Sequence, residues 1–180
     1  MSEYYINTSD LKTYNLKFKA GDRVYLSGVV YTARDAAHKK IVELIKNGEN
    51  LPFELDGACV YYAGPTPTPE GLPIGSCGPT TSGRMDSFTP LLLDKGLKAI
   101  IGKGERNNEV CEAIVRNEAV YFCAIGGAGA LAAKSVKKCE VIAFDELGCE
   151  SVKRLEIYNF PLIVAIDSHG ENLFKKTLDK

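Results

Sequence analysis

The sequence lacks what several classes of protein require. It has two histidines and no tryptophan, and its formal net charge at pH 7 is −1. A nearly neutral chain lacks the basic surface that binds nucleic acid or an anionic membrane. No apolar run approaches the ~20 residues that a membrane-spanning helix needs, and residues 1–10 lack the apolar core of a signal peptide. These absences favour a globular protein of the cytoplasm.

The six cysteines are not spaced as metal ligands. No two of them are separated by two residues, so the CxxC spacing of zinc and redox sites is missing. Four of them lie among apolar or helical neighbours and are expected to be small buried side chains in a reducing compartment: Cys59, Cys111, Cys123 and Cys139. Cys77 differs because it adjoins a polar motif, and its role stays open. The sequence predicts no metal site in this chain.

The 180 residues suit one domain, with residues 1–20 as an N-terminal arm. Strands are predicted over residues 22–31, 58–63, 98–101, 119–125, 140–144, 152–158 and 162–167. Helices are predicted over residues 34–47, 83–93 and 107–116, and a helix of small residues follows residue 130. The alternation indicates an α/β domain. The last two strands are joined by residues 159–161 as an antiparallel hairpin, so we expect a mixed sheet.

Glycine-bearing loops adjoin predicted strands or helices at residues 78–83, 102–104 and 126–129. In α/β folds ligands gather at the carboxyl ends of strands, and backbone N–H groups at a helix N-terminus attract anions. Arg84 and Lys103 lie in or next to two of these loops. Arg34 opens the first predicted helix.

A cation at a helix N-terminus opposes the helix dipole, as Arg34 and Arg84 are both predicted to do. A bound anion would explain both arginines. The alternative is that each arginine forms a surface ion pair with its near neighbour, Asp35 or Asp86.

Thr80 and Thr81 add hydroxyl groups beside Arg84. An arginine fork binds a carboxylate through two parallel hydrogen bonds, and a hydroxyl can donate to the same group or act as a base after losing its proton. The pattern favours a small, doubly charged organic acid, with phosphate as an open alternative. A nucleotide is less favoured, because residues 102–104 lack the P-loop spacing and residues 126–129 only loosely match a dinucleotide fingerprint.

Four stretches, in the same order along the chain, resemble the iron–sulfur hydro-lyases: residues 32–39, 78–86, 102–104 and 166–172. These enzymes are the class I fumarases and L(+)-tartrate dehydratases, and the match is to their β subunit or to the C-terminal domain of fused forms. The resemblance covers Gly21 to about Phe174. It implies a swivelling β/β/α fold and the addition or removal of water across a carbon–carbon double bond, as when fumarate is hydrated to L-malate.

The same resemblance implies a [4Fe–4S] cluster and a second subunit. In these enzymes three cysteines of the α subunit hold the cluster, and one iron acts as a Lewis acid on the substrate. The cysteines of this chain have no cluster spacing, which agrees with that division. The resemblance therefore implies a β subunit that works in a hetero-oligomer and is inactive alone.

By resemblance, Arg34, Arg84 and Lys103 bind the substrate carboxylates, and Thr80 and Thr81 complete the pocket. Thr80 is preferred over Thr81 as the base that removes the proton from the carbon next to a carboxylate. A threonine is a poor base unless positive charge lies nearby, and Lys103 and the arginines could supply it. Three further residues are expected to orient these groups: Asp35, His38 and Asp86.

The substrate stays open between fumarate and tartrate. Ala33, Gly83 and Asp86 look more like fumarase, because tartrate dehydratases tend to have cysteine, a bulkier residue and glutamate at these positions. A single polar contact can decide such specificity.

Residues 167–169 suggest a Ser–His–Asp hydrolase only superficially, since the adjacent Ser168 and His169 point in different directions. For His169 we expect a contact with the partner subunit or a structural role. Two hypotheses of another class also stay open: a non-catalytic module that binds a small anion or has a regulatory role, and a purely structural subunit.

Overall fold

The computed structural model describes residues 1–124 and 129–176. The strands are β1 (Glu3–Asn7), β2 (Arg23–Thr32), β3 (Cys59–Tyr61), β4 (Ala99–Gly102), β5 (Val120–Ala124), β6 (Val136–Ala143) and β7 (Val152–Ile166). The helices are α1 (Leu11–Tyr14), α2 (Asp35–Asn47), α3 (Thr89–Asp94), α4 (Asn108–Arg116), α5 (Gly129–Ser135) and α6 (Leu173–Lys176). Short 3₁₀ turns cover Thr8–Asp10, Ser82–Met85 and Asp145–Glu150. None of the described helices is long and apolar enough to cross a membrane.

The fold is a mixed α/β domain whose described strands form one seven-stranded sheet in the order β1-β2-β3-β4-β5-β7-β6. Strands β1 to β5 pair in parallel, and β7 runs antiparallel to β2, β5 and β6. Because β7 pairs with both β2 and β5, strands β2, β3, β4, β5 and β7 close into a barrel-like ring. The prediction of a mixed α/β sheet is confirmed.

The predicted hairpin at residues 159–161 is wrong, because β7 is a single strand of 15 residues. Both of its halves pair with β2, and the register shifts between Leu26 and Gly28. Asn159 has a positive φ of 48° and donates its backbone N–H to Ser27 Oγ at 3.0 Å. The irregularity is therefore a bulge between two strands that run side by side, and the chain does not turn back.

The predicted helix over residues 83–93 is divided in two. A 3₁₀ turn covers Ser82–Met85, and α3 begins only at Thr89 with a proline in its first turn. Pro90 lacks an N–H group and disfavours helical backbone in the residue before it, so it suits a helix start and not a helix interior. Arg84 consequently lies in a 3₁₀ turn, and it is not at the N-terminus of an α-helix.

Apolar side chains are buried on both faces of the sheet. Tyr61 and Phe122 belong to one cluster and their neighbours Tyr62 and Tyr121 to the other, as the alternation of side chains along a strand requires. Strands β2 to β5 run in parallel, so the residues that follow them lie at one edge of the sheet. That edge carries most of the residues that the sequence singles out.

Candidate functional site

Arg34 and Arg84 meet on the carboxylate of Asp35, the first residue of α2. Arg84 donates from Nε to Asp35 Oδ1 at 2.9 Å. The Arg34 Nε lies 3.9 Å from the other carboxylate oxygen. The Arg84 side chain is 52% exposed, so its guanidinium is open to a ligand. The fold thus joins two predicted anion-binding cations that are far apart in the sequence.

The turn that carries Thr80 and Thr81 is fastened to the ends of two strands. Thr80 donates its backbone N–H to the carbonyl of Tyr62, just past β3, at 2.8 Å. Thr81 forms a parallel bridge with Lys103, just past β4. The backbone N–H of Ser82 donates to Lys103 O at 2.9 Å, and Lys103 N–H donates to Ser82 Oγ at 3.0 Å. Lys103 and the two threonines are therefore held together.

Gly102 and Tyr121 explain how the turn that carries Thr80 and Thr81 is held close to β4. A Cβ atom on Gly102 would lie 1.9 Å from Ser82 Oγ, so only glycine allows the turn to approach β4 this closely. The hydroxyl of Tyr121 lies 2.9 Å from Ser82 Oγ and 2.9 Å from Gly104 O. Burial raises the pKa of Tyr121, so the hydroxyl keeps its proton and can donate it.

The polar groups at this edge remain open. Thr81, Arg84 and Lys103 are exposed and Thr80 is half-buried. Among residues 1–124 and 129–176, no hydrogen bond engages either threonine hydroxyl and no carboxylate lies within 4.0 Å of the Lys103 ammonium. Three cations and two hydroxyls at one sheet edge can bind a small dianion through charge-assisted hydrogen bonds.

Asp86 faces the interior and pairs with Arg106, which the sequence analysis missed. Arg106 donates from Nε to Asp86 Oδ1 at 2.6 Å and from Nη2 to Thr89 Oγ1 at 2.8 Å. The backbone N–H of Asn107 donates to the second Asp86 oxygen at 2.8 Å. The Arg106 side chain is 0% exposed. Asp86 therefore anchors the end of the 3₁₀ turn from below, and Arg84 pairs with Asp35 and not with its near neighbour.

His38 lies one helical turn after Arg34 and is fully buried. Its ring packs against Tyr62 and Phe88, with centroid distances of 5.2 and 5.9 Å. Burial lowers the pKa of His38 to about 4, so the imidazole is neutral near pH 7. The Nδ1 atom lies 2.9 Å from Arg34 O, and because a carbonyl only accepts, this nitrogen carries the proton. His38 thus holds the first turn of α2, beneath Arg34.

The stretch after β7 lies away from this edge. Because β7 is antiparallel to β5, its last residues lie beside the start of β5. Ser168 Oγ donates to Asn15 O at 3.0 Å, and His169 Nε2 lies 3.0 Å from Leu16 O. Asp167 Oδ1 accepts the backbone N–H of His169 at 2.9 Å. These groups bind backbone atoms, among them carbonyls of the N-terminal segment, and they form no nucleophile–base pair.

Cys77 and the third glycine loop adjoin each other. The Cys77 thiol is buried, and burial raises its pKa to about 12. Its backbone N–H donates to Gly129 O at 3.1 Å. The rest of the predicted loop, residues 126–128, lies outside the described residues. All six cysteines are free, and the described part of the chain has no group of three His, Cys, Asp or Glu side chains that could hold a metal ion.

Residues 3–177 match the family described as Fumarase C-terminus. The chain belongs to this family. Among its relatives is fumarate hydratase 2 of Leishmania major, which is 43% identical over 164 residues. That alignment covers 90% of this chain but only 29% of the relative, so this chain spans less than a third of the length of that fumarate hydratase.

Other relatives are matched over most of their own length. A Methanocaldococcus jannaschii protein, provisionally named L(+)-tartrate dehydratase subunit beta, is 44% identical over 91% of this chain and 87% of its own length. The L(+)-tartrate dehydratase subunit beta of Escherichia coli is 35% identical over 93% of this chain and 85% of its own length. The matching region is thus less than a third of the Leishmania relative and most of the two β subunits.

Proposed function

We propose that this chain is the β subunit of a hydro-lyase that reversibly hydrates fumarate to L-malate. The observation that carries the proposal is the meeting of Arg34 and Arg84 on Asp35, next to the turn that joins Thr80 and Thr81 to Lys103. A family with fumarate hydratases among its members supports the same reaction. The swivelling β/β/α assignment belongs to this proposal and is compatible with the barrel-like ring.

In this proposal the cations bind the two carboxylates of the substrate. Arg84 already uses Nε on Asp35, which leaves its two terminal nitrogens for a bidentate contact with a carboxylate. Arg34 and Lys103 balance the remaining charge, Lys103 as a flexible point charge. Thr81 donates its hydroxyl to a bound carboxylate.

Proton transfer is assigned to Thr80. When a proton leaves the carbon next to a carboxylate, negative charge builds up on that carboxylate, and preorganised cations stabilise it. The same cations favour the deprotonated hydroxyl that accepts the proton. Asp35 keeps the arginines at the edge, while Asp86 and His38 keep the turn and the helix beneath them in place.

The cofactor and partner follow from the same proposal. A [4Fe–4S] cluster, held by the α subunit, would supply a Lewis acid for the hydroxyl that leaves or enters. We do not assign Cys77 as a ligand, because its thiol is buried and its raised pKa keeps it neutral. The active species is a cytoplasmic hetero-oligomer, and this chain is inactive alone.

The second candidate is the dehydration of L(+)-tartrate to oxaloacetate. It is favoured by the tartrate dehydratase β subunits, whose length this chain nearly matches, whereas the fumarate hydratase of Leishmania is much longer. Fumarate stays the first choice because of Ala33, Gly83 and Asp86.

The test is to co-express this chain with a candidate α subunit that has three cluster-type cysteines and to purify the pair without oxygen. We expect a brown complex that hydrates fumarate faster than it dehydrates tartrate. The reverse preference would replace the first candidate by the second. A complex that binds dicarboxylates but converts neither substrate would leave the non-catalytic anion-binding module, and no complex at all would overturn the subunit assignment.

A further inference from the structure

The 3₁₀ turn Asp145–Glu150 reaches back over the start of α2. On one side Lys40 donates to Glu146 Oε1 at 2.7 Å. On the other side Glu150 contacts two groups with its two carboxylate oxygens. Its Oε2 accepts the backbone N–H of Ala36 at 3.0 Å, and its Oε1 lies 3.4 Å from Arg34 Nη2.

Glu150 supplies the helix cap that Arg34 cannot provide. Arg34 is the N-cap residue of α2, in extended backbone conformation, and its side chain makes no capping hydrogen bond. A guanidinium has only donors, whereas an N-cap must accept an N–H of the first turn. The Glu150 carboxylate accepts that N–H instead, and its negative charge suits the positive end of the helix.

The Arg34 guanidinium lies in a slot between Gly64 and Glu150. A Cβ atom on Gly64 would lie 2.9 Å from Arg34 Nη1 and 3.3 Å from Cys149 O, so the absence of a side chain at Gly64 makes the slot. The Arg34 Nε and the Asp35 Oδ2 that it faces are both buried and make no hydrogen bond to a described residue. Glu150, at 3.4 Å, is closer to the Arg34 guanidinium than Asp35, at 3.9 Å.

Lys153 holds the segment that carries Glu150. Its ammonium lies 3.2 Å from Gly148 O, 3.2 Å from Cys149 O and 2.7 Å from Ser151 Oγ. Its backbone N–H donates to Thr32 Oγ1 at 3.1 Å, and Thr32 ends β2 two residues before Arg34. Lys153 therefore holds the segment 148–151 together through its ammonium group and links it through its backbone to β2, the strand that precedes Arg34.

We propose that Glu150 is a positioning residue of the substrate site, which fixes the Arg34 guanidinium while it caps α2. Lys153 acts one step further back by fixing the Glu150 segment. The identity of the substrate rests on the proposed function, but the effect on Arg34 does not. Without the carboxylate, the Arg34 side chain gains rotamer freedom, and substrate binding must then pay the entropy cost of removing it. This cost outweighs the gain in substrate affinity from removing a negative charge near Arg34.

The first test compares Glu150→Gln and Glu150→Ala in the assembled enzyme. The Gln side chain can still accept the Ala36 N–H but has no charge for Arg34. We expect both variants to raise KM for the dicarboxylate about 10-fold with a smaller change in kcat, which is the cost of ordering one long side chain. Only Glu150→Ala should also lower Tm, because it removes the cap. An unchanged or lower KM in Glu150→Gln would overturn the proposal.

Glu146→Gln is the matched control. It removes the same charge from the same turn, but its partner is Lys40 and not Arg34, so KM should not change. Gly64→Ala approaches the slot from the other side, because its Cβ atom would lie 2.9 Å from Arg34 Nη1 while the Glu150 carboxylate is retained. We expect it to raise KM as Glu150→Gln does, and an unchanged KM would contradict the role of the slot.

Two further measurements separate this inference from the proposed function. If Glu150 acts through Arg34, Glu150→Gln should have no further effect on KM in an Arg34→Ala background, and an additive effect would overturn the proposal. Nitrogen-15 NMR of the arginine side chains in the full chain should show faster rotation of the Arg34 guanidinium in Glu150→Gln. Faster rotation would support the role of Glu150 even if the complex converted neither substrate and the proposed function failed. Unchanged rotation would overturn the role of Glu150 even if the enzyme were active.

Discussion

Two arginine–aspartate pairs flank the 3₁₀ turn Ser82–Met85, and they differ mainly in burial. Arg84 and Asp35 pair at 2.9 Å with the arginine side chain 52% exposed, whereas Arg106 and Asp86 pair at 2.6 Å with the arginine side chain 0% exposed. An exposed pair gains little from its own attraction, so a ligand can share its guanidinium. A buried pair cannot open without leaving a charge unpaired. The same two residue types therefore form a binding group in one place and a structural anchor in the other.

The largest expected effect is on stability, when the buried pair is broken. Arg106→Met leaves Asp86 buried without its cation, and such a loss costs about 3–5 kcal/mol of the free energy of unfolding. Urea denaturation of the purified chain measures this. The control is Arg116→Met, which breaks an exposed pair with Asp94 and should cost much less stability, because water screens an exposed ion pair. Equal losses of unfolding free energy in the two variants would show that burial does not make the Arg106–Asp86 pair more important for stability than an exposed pair.

Changing the exposed pair should lower activity and leave stability nearly unchanged. Arg84→Lys in the assembled enzyme keeps the charge but loses the fork, and we expect kcat/KM to fall about 100-fold, the loss that a charge-assisted hydrogen bond represents. The free energy of unfolding should stay within about 0.5 kcal/mol. Arg116→Lys serves as the control for activity. Wild-type rates in Arg84→Lys would remove Arg84 from the site.

A pH effect should come from His38, beneath both pairs. Its pKa is lowered to about 4 by burial, while the unfolded chain has the ordinary value of about 6.5. Between these two values the unfolded state binds more protons, so stability falls as pH falls from 6.5 toward 4. At pH 5 the loss is about 2 kcal/mol, at 1.36 kcal/mol for each pKa unit.

The check on His38 is urea denaturation at pH 7 and at pH 5. His38→Asn can keep a donor toward Arg34 O but does not titrate in this range, so its stability should depend less on pH. His169→Asn is the control, because that histidine is exposed. An equally steep pH dependence in His38→Asn and the wild type would contradict the buried neutral imidazole.

The smallest effect is expected at Gly83, on the exposed side of the turn. Its Cβ position is open, so Gly83→Ala should change stability by less than about 0.5 kcal/mol. The ratio of kcat/KM for fumarate and tartrate should shift toward tartrate by less than about 10-fold, because one methyl group contributes little to discrimination. A shift toward fumarate would show that Gly83 does not distinguish the substrates.

Much of the fold was predictable because its signals are local. The helix that ends at Asn47 stops before Gly48, which has a positive φ of 68°, as the sequence predicts. The hairpin prediction failed because proline and asparagine usually mark turns, and only the pairing of β7 with β2 shows that the chain continues straight. Strand β1 was missed because it is only five residues long and buries only Ile6, so it has no periodic apolar signal.

The candidate site divides in the same way. The sequence singled out Arg34, Thr80, Arg84 and Lys103 from their places beside glycine loops and strand ends, and the fold brings them to one edge. The sequence could not show that Arg106 is part of this region, because no local pattern distinguishes a buried arginine from an exposed one. Glu150 was missed for the same reason, since its contact with Ala36 spans 114 residues.

By itself the sequence determined which residue types stand at the ends of the parallel strands, because strand periodicity, glycine and proline act within a few residues. The family resemblance followed from the same local runs. Only the tertiary structure decided the partners: Asp35 for Arg84 across 49 residues, Arg106 for Asp86 across 20, and Glu150 for Arg34. The physical reason is that an ion pair depends on distance and burial, and both are set by how the closed sheet brings distant segments together.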